Sequence, residues 1–289
     1  MVRARQAFDE ARKRLEAAGV EDAAFDAAAL VATQAGDGWR WQDPELDETA
    51  LARLEALTAR RAAREPLQYI LGRWPFLDFE LQVGPGVLCP RADTELLAEE
   101  GAKRLAGKSS PAVLDLCAGS GCVGLGVKRL CPAARVTCLE KSPEAFQYLE
   151  RNAASALPGF DAARPAVTCV RGDVFEYQRQ LAPESLDLIL SNPPYVTDGE
   201  MERLAPEVRR EPAMALRADH EGLAFYEHIA PAYLPALRPG GWLAVEIGWQ
   251  QGAAVQAIFR AAGYETVACI PDLEGRDRVM AGQKAEKGI

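Results

Sequence analysis

Two patterns of apolar and polar residues divide the chain. Over residues 1 to about 70, alanine, leucine, glutamate and arginine dominate, a composition typical of helices. Apolar residues recur there at helical spacing, first as Ala7, Phe8, Ala11 and Leu15 and then as Phe25, Ala28 and Ala29. A third helix is predicted over about residues 47–64. The pattern therefore predicts a small N-terminal helical bundle, residues 1–72, that could dock another protein.

Residues 73–90 have the composition of strands. Apolar and polar residues alternate over residues 74–83, and Gly84-Pro85-Gly86 then ends the strand pattern. We predict a β-hairpin here, which joins the helical bundle to a third region, residues 91–289.

Strands and helices alternate in this third region. Five short apolar strands are predicted, over residues 112–116, 135–140, 166–170, 185–190 and 241–247. Continuous apolar strands that alternate with helices indicate a parallel sheet covered on both faces. Two further strands, near residues 264–270 and 276–280, have no long helix between them and predict an antiparallel hairpin at the sheet edge. The predicted fold class is α/β, with a Rossmann-like sheet of seven strands.

Composition narrows the function. The chain has 289 residues, of which 48% are hydrophobic and 26% charged, as in an ordinary globular protein. No window reaches the roughly 18 apolar residues of a membrane span, and the N-terminus lacks the apolar core of a signal peptide, so we expect a cytoplasmic protein. Seven cysteines without a C-x-x-C pair, and only two histidines, predict reduced thiols and no metal site. The net charge of −9 weighs against nucleic-acid binding and favours a protein, peptide or small-molecule substrate.

A glycine-rich turn follows the first strand of the predicted sheet. Residues 119–124 fit the string G-x-G-x-x-G, in which glycine lets a ligand approach the backbone at the start of a helix. This signal is weak by itself, and a simple tight turn is the alternative. No Walker lysine accompanies it, which disfavours phosphoryl transfer. The binding residues predicted in this turn are Asp115, Cys117, Ala118, Gly119, Ser120 and Gly121.

Acidic residues end the next two strands. Glu140 comes about 20 residues after the turn, where a carboxylate can accept both hydroxyls of a ribose. Asp173 ends the third strand and could accept from an adenine amino group, with Val174 or Phe175 packed nearby. A solvated strand end is the alternative for each of them. Because the carboxyl ends of parallel strands meet at one crevice, we expect these residues to share a binding site with the glycine turn.

The fourth strand closes on Ser191-Asn192-Pro193-Pro194-Tyr195. Two successive prolines remove two N–H donors and hold the backbone extended. The side-chain oxygen of Asn192 and the carbonyl of Pro193 could then accept both hydrogens of a planar NH₂ group, with Tyr195 stacked on its plane. A plain tight turn is the alternative. The acidic residues and the glycine turn upstream favour a binding site over that alternative.

This set of residues resembles the S-adenosylmethionine-dependent methyltransferases that methylate planar nitrogens in adenine, cytosine or glutamine. Further strings narrow the resemblance to the HemK/PrmC family of release factor glutamine methyltransferases. They lie at residues 65–72, 86–95, 210–216, 219–223, 239–241, 246–248 and 272–278. The resemblance covers about residues 65–282, and the helical N-terminal region suits the substrate-docking domain of the family.

The resemblance implies a reaction and a set of roles. The methyl group of S-adenosyl-L-methionine would pass to the amide nitrogen of glutamine in the Gly-Gly-Gln motif of class I peptide chain release factors, leaving S-adenosyl-L-homocysteine and supporting translation termination. Asn192, Pro193 and Tyr195 would be catalytic, and Pro194 would join them in binding the substrate. Asn192 would also contact the cofactor, beside Val174 and the residues predicted above. We expect a monomer that binds neither nucleic acid nor membrane.

Several details stay open at this point. Cys117 stands where the family usually has glycine, and Val174 stands where some members have tryptophan. Asp93 or Thr94 is predicted to cap a helix, while Arg91 is as well explained by a structural ion pair as by a functional role. Residues 196–221 are predicted to form a lid over the substrate. His220 and His228 are predicted to be ordinary surface or helix residues.

Three other functions compete with this one. The first is N6-adenine methylation of DNA or RNA through the same residues 192–195, which should require a basic cleft and is opposed by the net charge. The second is a non-catalytic cofactor-binding protein that acts through its N-terminal bundle. The third is a nicotinamide enzyme, which does not explain the residues from Ser191 to Tyr195.

Overall fold

A computed structural model describes residues 2–286 and divides the chain into two compact units. The first unit holds the residues up to Arg73 together with Ala205–Arg210, and the second holds Trp74–Leu204 and the residues from Glu211 onward. The segment boundaries predicted at residues 72 and 90 stay predictions. Among the described residues, no helix combines the length and apolar character that a membrane crossing requires.

The first unit is mainly helical. Its helices are α1 (Ala4–Ala17), α2 (Ala23–Ala35), α3 (Trp39–Gln42), α4 (Glu48–Ala62) and α5 (Leu67–Leu71). Two short strands, β1 (Val2–Arg3) and β2 (Glu45–Leu46), pair antiparallel. Asp47 caps α4 by accepting a hydrogen bond from the Ala50 N–H at 2.7 Å, which fixes where that helix begins.

The buried face of α2 differs from the apolar spacing of its sequence. Phe25 is 58% exposed, whereas Asp26 is buried. Asp26 is buried because Arg61 of α4, itself buried, contacts its carboxylate at 2.5 Å. The second carboxylate at Arg61 is Glu207, at 2.9 Å, from the Ala205–Arg210 segment of the same unit. The buried face of α2 therefore includes an ion pair that the periodicity of the sequence does not reveal.

A β-hairpin precedes the sheet, as predicted, but its turn lies elsewhere. Its strands are β3 (Arg73–Phe76) and β4 (Phe79–Gln82). The chain reverses at Leu77, which has a φ of 52°, so residues 74–83 form both arms and not a single strand.

The second unit is built on a seven-stranded sheet. Its strands are β5 (Ala112–Leu116), β6 (Arg135–Glu140), β7 (Thr168–Arg171), β8 (Leu186–Ser191), β9 (Leu237–Glu246), β10 (Tyr264–Pro271) and β11 (Asp277–Lys284). Their order across the sheet is β10-β11-β9-β8-β5-β6-β7. The strands from β5 to β9 pair parallel, and β11 pairs antiparallel with both β9 and β10. The predicted closing hairpin is present, with β11 inserted between β9 and the edge strand β10.

Helices cover both faces of the sheet. Those of the second unit are α6 (Glu95–Arg104), α7 (Cys122–Leu130), α8 (Pro143–Ser155), α9 (Val174–Tyr177), α10 (Asp198–Met201), α11 (Ala224–Tyr233) and α12 (Gly252–Ala262). One apolar cluster joins Val113 of β5 to α6, α7 and α8, and the other joins Leu114 to α11 and α12. Neighbouring residues of a strand point to opposite faces, so both faces of β5 are buried. This burial explains why the strands are apolar without alternation.

Candidate active site

A cavity of about 540 Å³ lies where the parallel strands β5, β6, β7 and β8 end. Its lining includes most of the binding residues predicted from the sequence, namely Asp115, Cys117, Ala118, Gly119, Glu140, Asp173, Val174, Asn192 and Pro194. The crevice at the carboxyl ends of an open parallel sheet is the usual ligand site of such folds. The topology therefore brings together residues that lie up to about 80 positions apart in the chain.

The glycine-rich turn between β5 and α7 has an unusual backbone. Gly119 and Gly121 have φ angles of 56° and 85°, and a Cβ added to Gly121 would lie 2.7 Å from the Leu149 side chain. Cys117, at the position where the family usually has glycine, also lies in the left-handed region, with a φ of 57°. This conformation costs an L-residue roughly 1–2 kcal/mol. The sequence departure thus leaves the turn in place but adds backbone strain to it.

Asp115 is the most deeply buried acid of the cavity, with 1% of its surface exposed. Its Oδ2 accepts a hydrogen bond from the Gly124 N–H at 2.8 Å. Its Oδ1 is buried and accepts no hydrogen bond from any described residue. Burial raises the pKa of Asp115 to about 7, although the Gly124 N–H acts to lower it. A ligand that brings a donor or a positive charge would satisfy this oxygen.

Glu140 and Asp173 are both held by neighbouring groups. Glu140 accepts the N–H groups of Ser142 at 2.7 Å and Gly119 at 2.8 Å, one on each oxygen. Burial raises the pKa of Glu140, and these backbone bonds oppose the rise. Asp173 accepts the Phe175 N–H at 3.0 Å and pairs with Lys141 at 2.8 Å. Burial acts to raise the pKa of Asp173, but the hydrogen bonds from Lys141 and the Phe175 N–H and the charge of Lys141 outweigh this effect, and the pKa is lowered.

Aromatic side chains pack beside the end of β7. The ring of Phe175 lies 5.1 Å from that of Phe225 and 4.7 Å from that of His228. Val174 is buried, and its carbonyl accepts a hydrogen bond from the Tyr233 hydroxyl at 2.8 Å. Phe175 and Phe225 line the cavity with Val174, so this end offers an apolar surface suited to a flat ring. His228, predicted to be an ordinary helix residue, supports this aromatic group from behind.

The residues of the corner after β8 line two different cavities. Asn192 and Pro194 line the cavity, and the Asn192 Nδ2 donates to the Thr94 hydroxyl at 3.2 Å. Tyr195 instead lines a second cavity of about 770 Å³ and donates to Glu246 at 3.1 Å. No donor among residues 2–286 reaches the Asn192 Oδ1 or the Pro193 carbonyl. Two acceptor oxygens of this corner therefore remain for a ligand.

Comparisons with known proteins identify the family. A family model described as the PrmC N-terminal domain matches residues 6–72, and one described as the methyltransferase small domain matches residues 86–220. A release factor glutamine methyltransferase from Geobacter sulfurreducens is 40% identical over 285 residues, covering 96% of each chain. Another, from Cereibacter sphaeroides, is 40% identical over 290 residues and covers 98% of this chain and 99% of its own. This chain belongs to the release factor glutamine methyltransferase family.

A solved structure agrees with the fold of this release factor glutamine methyltransferase family member. The hMettl16 catalytic domain matches with a TM-score of 0.56 at 18% identity, covering 80% of this chain and 82% of its own. At this identity the match shows the fold alone. The predicted family and the predicted Rossmann-like methyltransferase fold are both confirmed.

The predicted helix cap of this family member is correct in position only, because Thr94 is the N-cap residue of α6 but its side chain makes no capping hydrogen bond. Residues Ala92–Thr94 form a turn of 3-10 helix before α6, and neither predicted side chain caps it. Thr94 instead donates its hydroxyl to Glu246 at 2.6 Å, and Asp93 pairs with Arg278 at 3.0 Å. The cap was predicted from local sequence, whereas in the folded chain the Glu246 carboxylate of β9 accepts from Thr94 and the Arg278 guanidinium of β11 donates to Asp93.

Arg91 forms an ion pair with Glu211. Glu211 is buried, and its second oxygen accepts the Cys89 N–H at 2.9 Å. The next residues, from Pro212 to Ala215, line the cavity. Of the two explanations that the sequence leaves open for Arg91, the ion pair is the one observed, and it anchors one wall of the cavity.

Several predicted residues lie apart from the cavity wall, and several wall residues were not predicted. Ser120, Gly121, Pro193 and Tyr195 do not line the cavity, and their predicted roles stay predictions. The unpredicted wall residues are Thr94, Lys141, Ser142, Met214 and Phe225. Glu246 was not predicted either, and it reaches the wall through its hydrogen bond with Thr94. Glu246 ends β9 as Glu140 ends β6, so the signal that found Glu140 could also have found it. Met214 lies in the string 210–216 that carries the resemblance but had no predicted role, and nothing in the local sequence marks Phe225.

Proposed function

We propose that this protein transfers a methyl group from S-adenosyl-L-methionine to the side-chain amide nitrogen of the glutamine in the Gly-Gly-Gln motif of class I release factors. Membership of the release factor glutamine methyltransferase family supports the reaction and the substrate. The observation that carries the proposal is the position of Asn192, which shares one cavity with the glycine turn and Glu140. A corner that would accept an NH₂ group thus adjoins a site that would hold a nucleoside.

The residues of the cavity fit S-adenosyl-L-methionine. Its volume of about 540 Å³ is within the range of pockets for small molecules and cofactors. The Oδ1 of Asp115 is a buried acceptor that needs a donor or a cation, and the cofactor carries an ammonium and a sulfonium. Glu140 would accept ribose hydroxyls, and Val174 and Phe175 would contact the adenine ring. When bound, the cofactor supplies an electrophilic methyl group on sulfur.

Asn192 and Pro193 would act on the substrate amide. An amide nitrogen is a weak nucleophile because its lone pair is delocalised into the carbonyl. The Asn192 Oδ1 and the Pro193 carbonyl would accept its two hydrogens and favour the positive charge that develops as the new N–C bond forms and the C–S bond breaks. The nitrogen becomes acidic on alkylation, so its proton can leave to water and no strong base is required beforehand. Holding the nitrogen in line with the methyl group supplies the rest of the acceleration.

The direct test is methyl transfer with purified components. The full-length protein is incubated with labelled S-adenosyl-L-methionine and a class I release factor. A release factor in which the motif glutamine is changed to alanine, and a DNA and RNA mixture, serve as parallel substrates. We expect label in the wild-type release factor only. Label in the nucleic acid, or equal label in the alanine variant, would overturn the proposal.

A further inference from the structure

Glu246 lies at the centre of the hydrogen bonds that hold the corner after β8. The residue is 2% exposed. Its Oε2 accepts the Thr94 hydroxyl at 2.6 Å, and its Oε1 accepts the Tyr195 hydroxyl at 3.1 Å. Thr94 in turn accepts the Asn192 Nδ2 at 3.2 Å. One buried carboxylate therefore reaches both polar residues of the corner.

The direction of these bonds decides which end of the Asn192 amide faces the cavity. A threonine hydroxyl has one hydrogen to donate. Because Thr94 donates that hydrogen to Glu246, it can offer Asn192 only an acceptor. Asn192 must then turn its NH₂ group toward Thr94, which leaves its Oδ1 for the substrate.

The charge of Glu246 strengthens the same arrangement. Burial raises the pKa of Glu246, whereas the bonds from Thr94 and Tyr195 and the positive charge of Arg278 act to keep it ionised. Hydrogen bonds arranged in series polarise one another inside a protein. In its ionised form, Glu246 would make the Asn192 Oδ1 a better acceptor at the other end of the series, where positive charge would develop on the substrate nitrogen.

We propose that Glu246 is a positioning residue, which acts through Thr94 to present the oxygen of Asn192, and not its NH₂ group, to the substrate amide. This proposal rests on the proposed function of Asn192. Without the hydroxyl of Thr94, the Asn192 amide is free to turn over, and an NH₂ group would then face the NH₂ group of the substrate. The loss would affect the reaction and leave most cofactor contacts intact.

Four substitutions in the full-length protein test the proposal. Thr94→Val removes the hydroxyl with little change of shape, and Thr94→Ser keeps the hydroxyl. Glu246→Gln replaces the anion by a group that can donate to Thr94 and so reverse the series. Tyr226→Phe is the matched control, because the buried Tyr226 hydroxyl donates to the main-chain carbonyl of Glu246 at 2.9 Å and does not enter the series.

The kinetic expectation is specific to kcat. With a release factor as substrate, kcat should fall roughly tenfold or more in Thr94→Val and in Glu246→Gln. Thr94→Ser should stay within roughly threefold of the wild type, as should Tyr226→Phe. The Kd for S-adenosyl-L-methionine, measured by calorimetry, should change less than kcat in every variant. In protein that already carries Thr94→Val, adding Glu246→Gln should lower kcat little further, because both substitutions break the same series of hydrogen bonds.

A second measurement does not depend on turnover. In protein with ¹⁵N-labelled asparagine, the Asn192 NH₂ signal is assigned by its loss in Asn192→Ala. Its hydrogens should exchange with water more slowly in the wild type and in Thr94→Ser than in Thr94→Val. Equal exchange in the three proteins would contradict the orientation.

The outcomes separate this proposal from the proposed function. If the wild type does not methylate the release factor, the proposed function fails, and the exchange measurement alone then supports or overturns the orientation. If the wild type is active but Thr94→Val loses no more kcat than Tyr226→Phe, the positioning role is overturned. A loss in Thr94→Val that Thr94→Ser shares in full would also overturn it, because the hydroxyl would not be the cause.

Discussion

Asp115 combines deep burial with an oxygen that no described residue satisfies. Burial raises its pKa from 3.8 to about 7, so the folded protein binds a proton there that the unfolded chain releases near pH 4. Between these two values the folded state binds more protons than the unfolded state. The contribution of Asp115 to stability is therefore present at low pH and is lost as the pH rises toward 7.

Replacing Asp115 by asparagine should remove this pH dependence. We expect the unfolding free energy of Asp115→Asn, relative to the wild type without cofactor, to rise by about 1 kcal/mol or more between pH 4.5 and pH 7.5. The affinity of the wild type for S-adenosyl-L-methionine should increase over the same interval, and that of the variant should not. Denaturant unfolding and calorimetry at a series of pH values measure both. A constant stability difference would contradict the raised pKa.

Asn192 is the residue on which the proposed reaction depends. We expect Asn192→Ala to lower kcat by roughly 10²- to 10³-fold, because an acceptor of the substrate NH₂ group is lost. The Kd for S-adenosyl-L-methionine should change far less, since Asp115 and Glu140 remain. Steady-state kinetics with a release factor, together with calorimetry, make the comparison. Equal losses of kcat and of cofactor affinity would instead indicate a structural or cofactor-binding role.

The strain at Cys117 is also testable at a single residue. Cys117→Gly and Cys117→Ala both remove the thiol, but only glycine adopts a φ of 57° without a steric cost. We expect the glycine variant to be the more stable of the two by about 1 kcal/mol. Alanine pays the steric cost of the left-handed conformation, and the greater entropy of glycine in the unfolded chain offsets part of that difference. Thermal and denaturant unfolding of the two variants give the difference. A more stable alanine variant would show that the turn relaxes.

At the scale of elements, the buried carboxylate of Glu211 ties the segment after β8 to residues that precede α6. Glu211 holds both Arg91 and the Cys89 N–H, and residues from Pro212 to Ala215 then line the cavity. The ion pair thus links the segment that precedes α6 to this part of the cavity wall. Whether residues 196–221 form a lid over the substrate stays a prediction.

Loss of this ion pair should weaken cofactor binding more than it alters the chemistry. Glu211→Gln keeps an oxygen for the Cys89 N–H but loses the charge that pairs with Arg91. We expect the Kd for S-adenosyl-L-methionine to rise roughly threefold to tenfold, with kcat at saturating cofactor nearly unchanged. Arg91→Gln should have a similar effect, and the double variant should be little worse than either. Additive losses would show that the two residues act separately.

At the scale of the whole molecule, the chain does not divide at one point. Residues Ala205–Arg210 belong to the helical unit, although the residues on both sides belong to the other. Glu207 holds them there through Arg61 at 2.9 Å and Arg64 at 2.6 Å. Arg61 is buried, so its charge requires both Asp26 and Glu207. The helical unit is therefore completed by residues far along the chain.

Glu207→Gln should consequently loosen the helical unit. We expect its local unfolding free energy to fall by about 1–2 kcal/mol, because Arg61 keeps only one carboxylate while remaining buried. Hydrogen exchange of the amides in α1, α2 and α4 measures the effect. Glu202→Gln, at an exposed position nearby, is the control and should leave exchange unchanged. Equal exchange in both variants would mean that Glu207 does not stabilise this unit.

Local sequence was sufficient wherever one short segment decides the outcome. The strands 112–116 and 135–140 were predicted with their observed bounds, because buried parallel strands must be continuously apolar. The glycine turn, Glu140 and Asn192 were predicted as neighbours, because the ends of parallel strands share one edge. Local patterns did not reveal the buried ion pair of α2 or the side-chain partner of Thr94, because Arg61 and Glu246 come from distant parts of the chain.

The sequence by itself determined the fold class, the family and the residues placed at the ends of the strands. These follow from periodicity and from motifs whose residues are close together in the chain. Only the tertiary structure decided that Tyr195 faces a different cavity from Asn192, that Glu246 orders the corner through Thr94, and that Glu207 joins the helical unit. Each of these is a contact between residues that lie far apart in the chain, and a contact of that kind depends on folded geometry that no local pattern encodes.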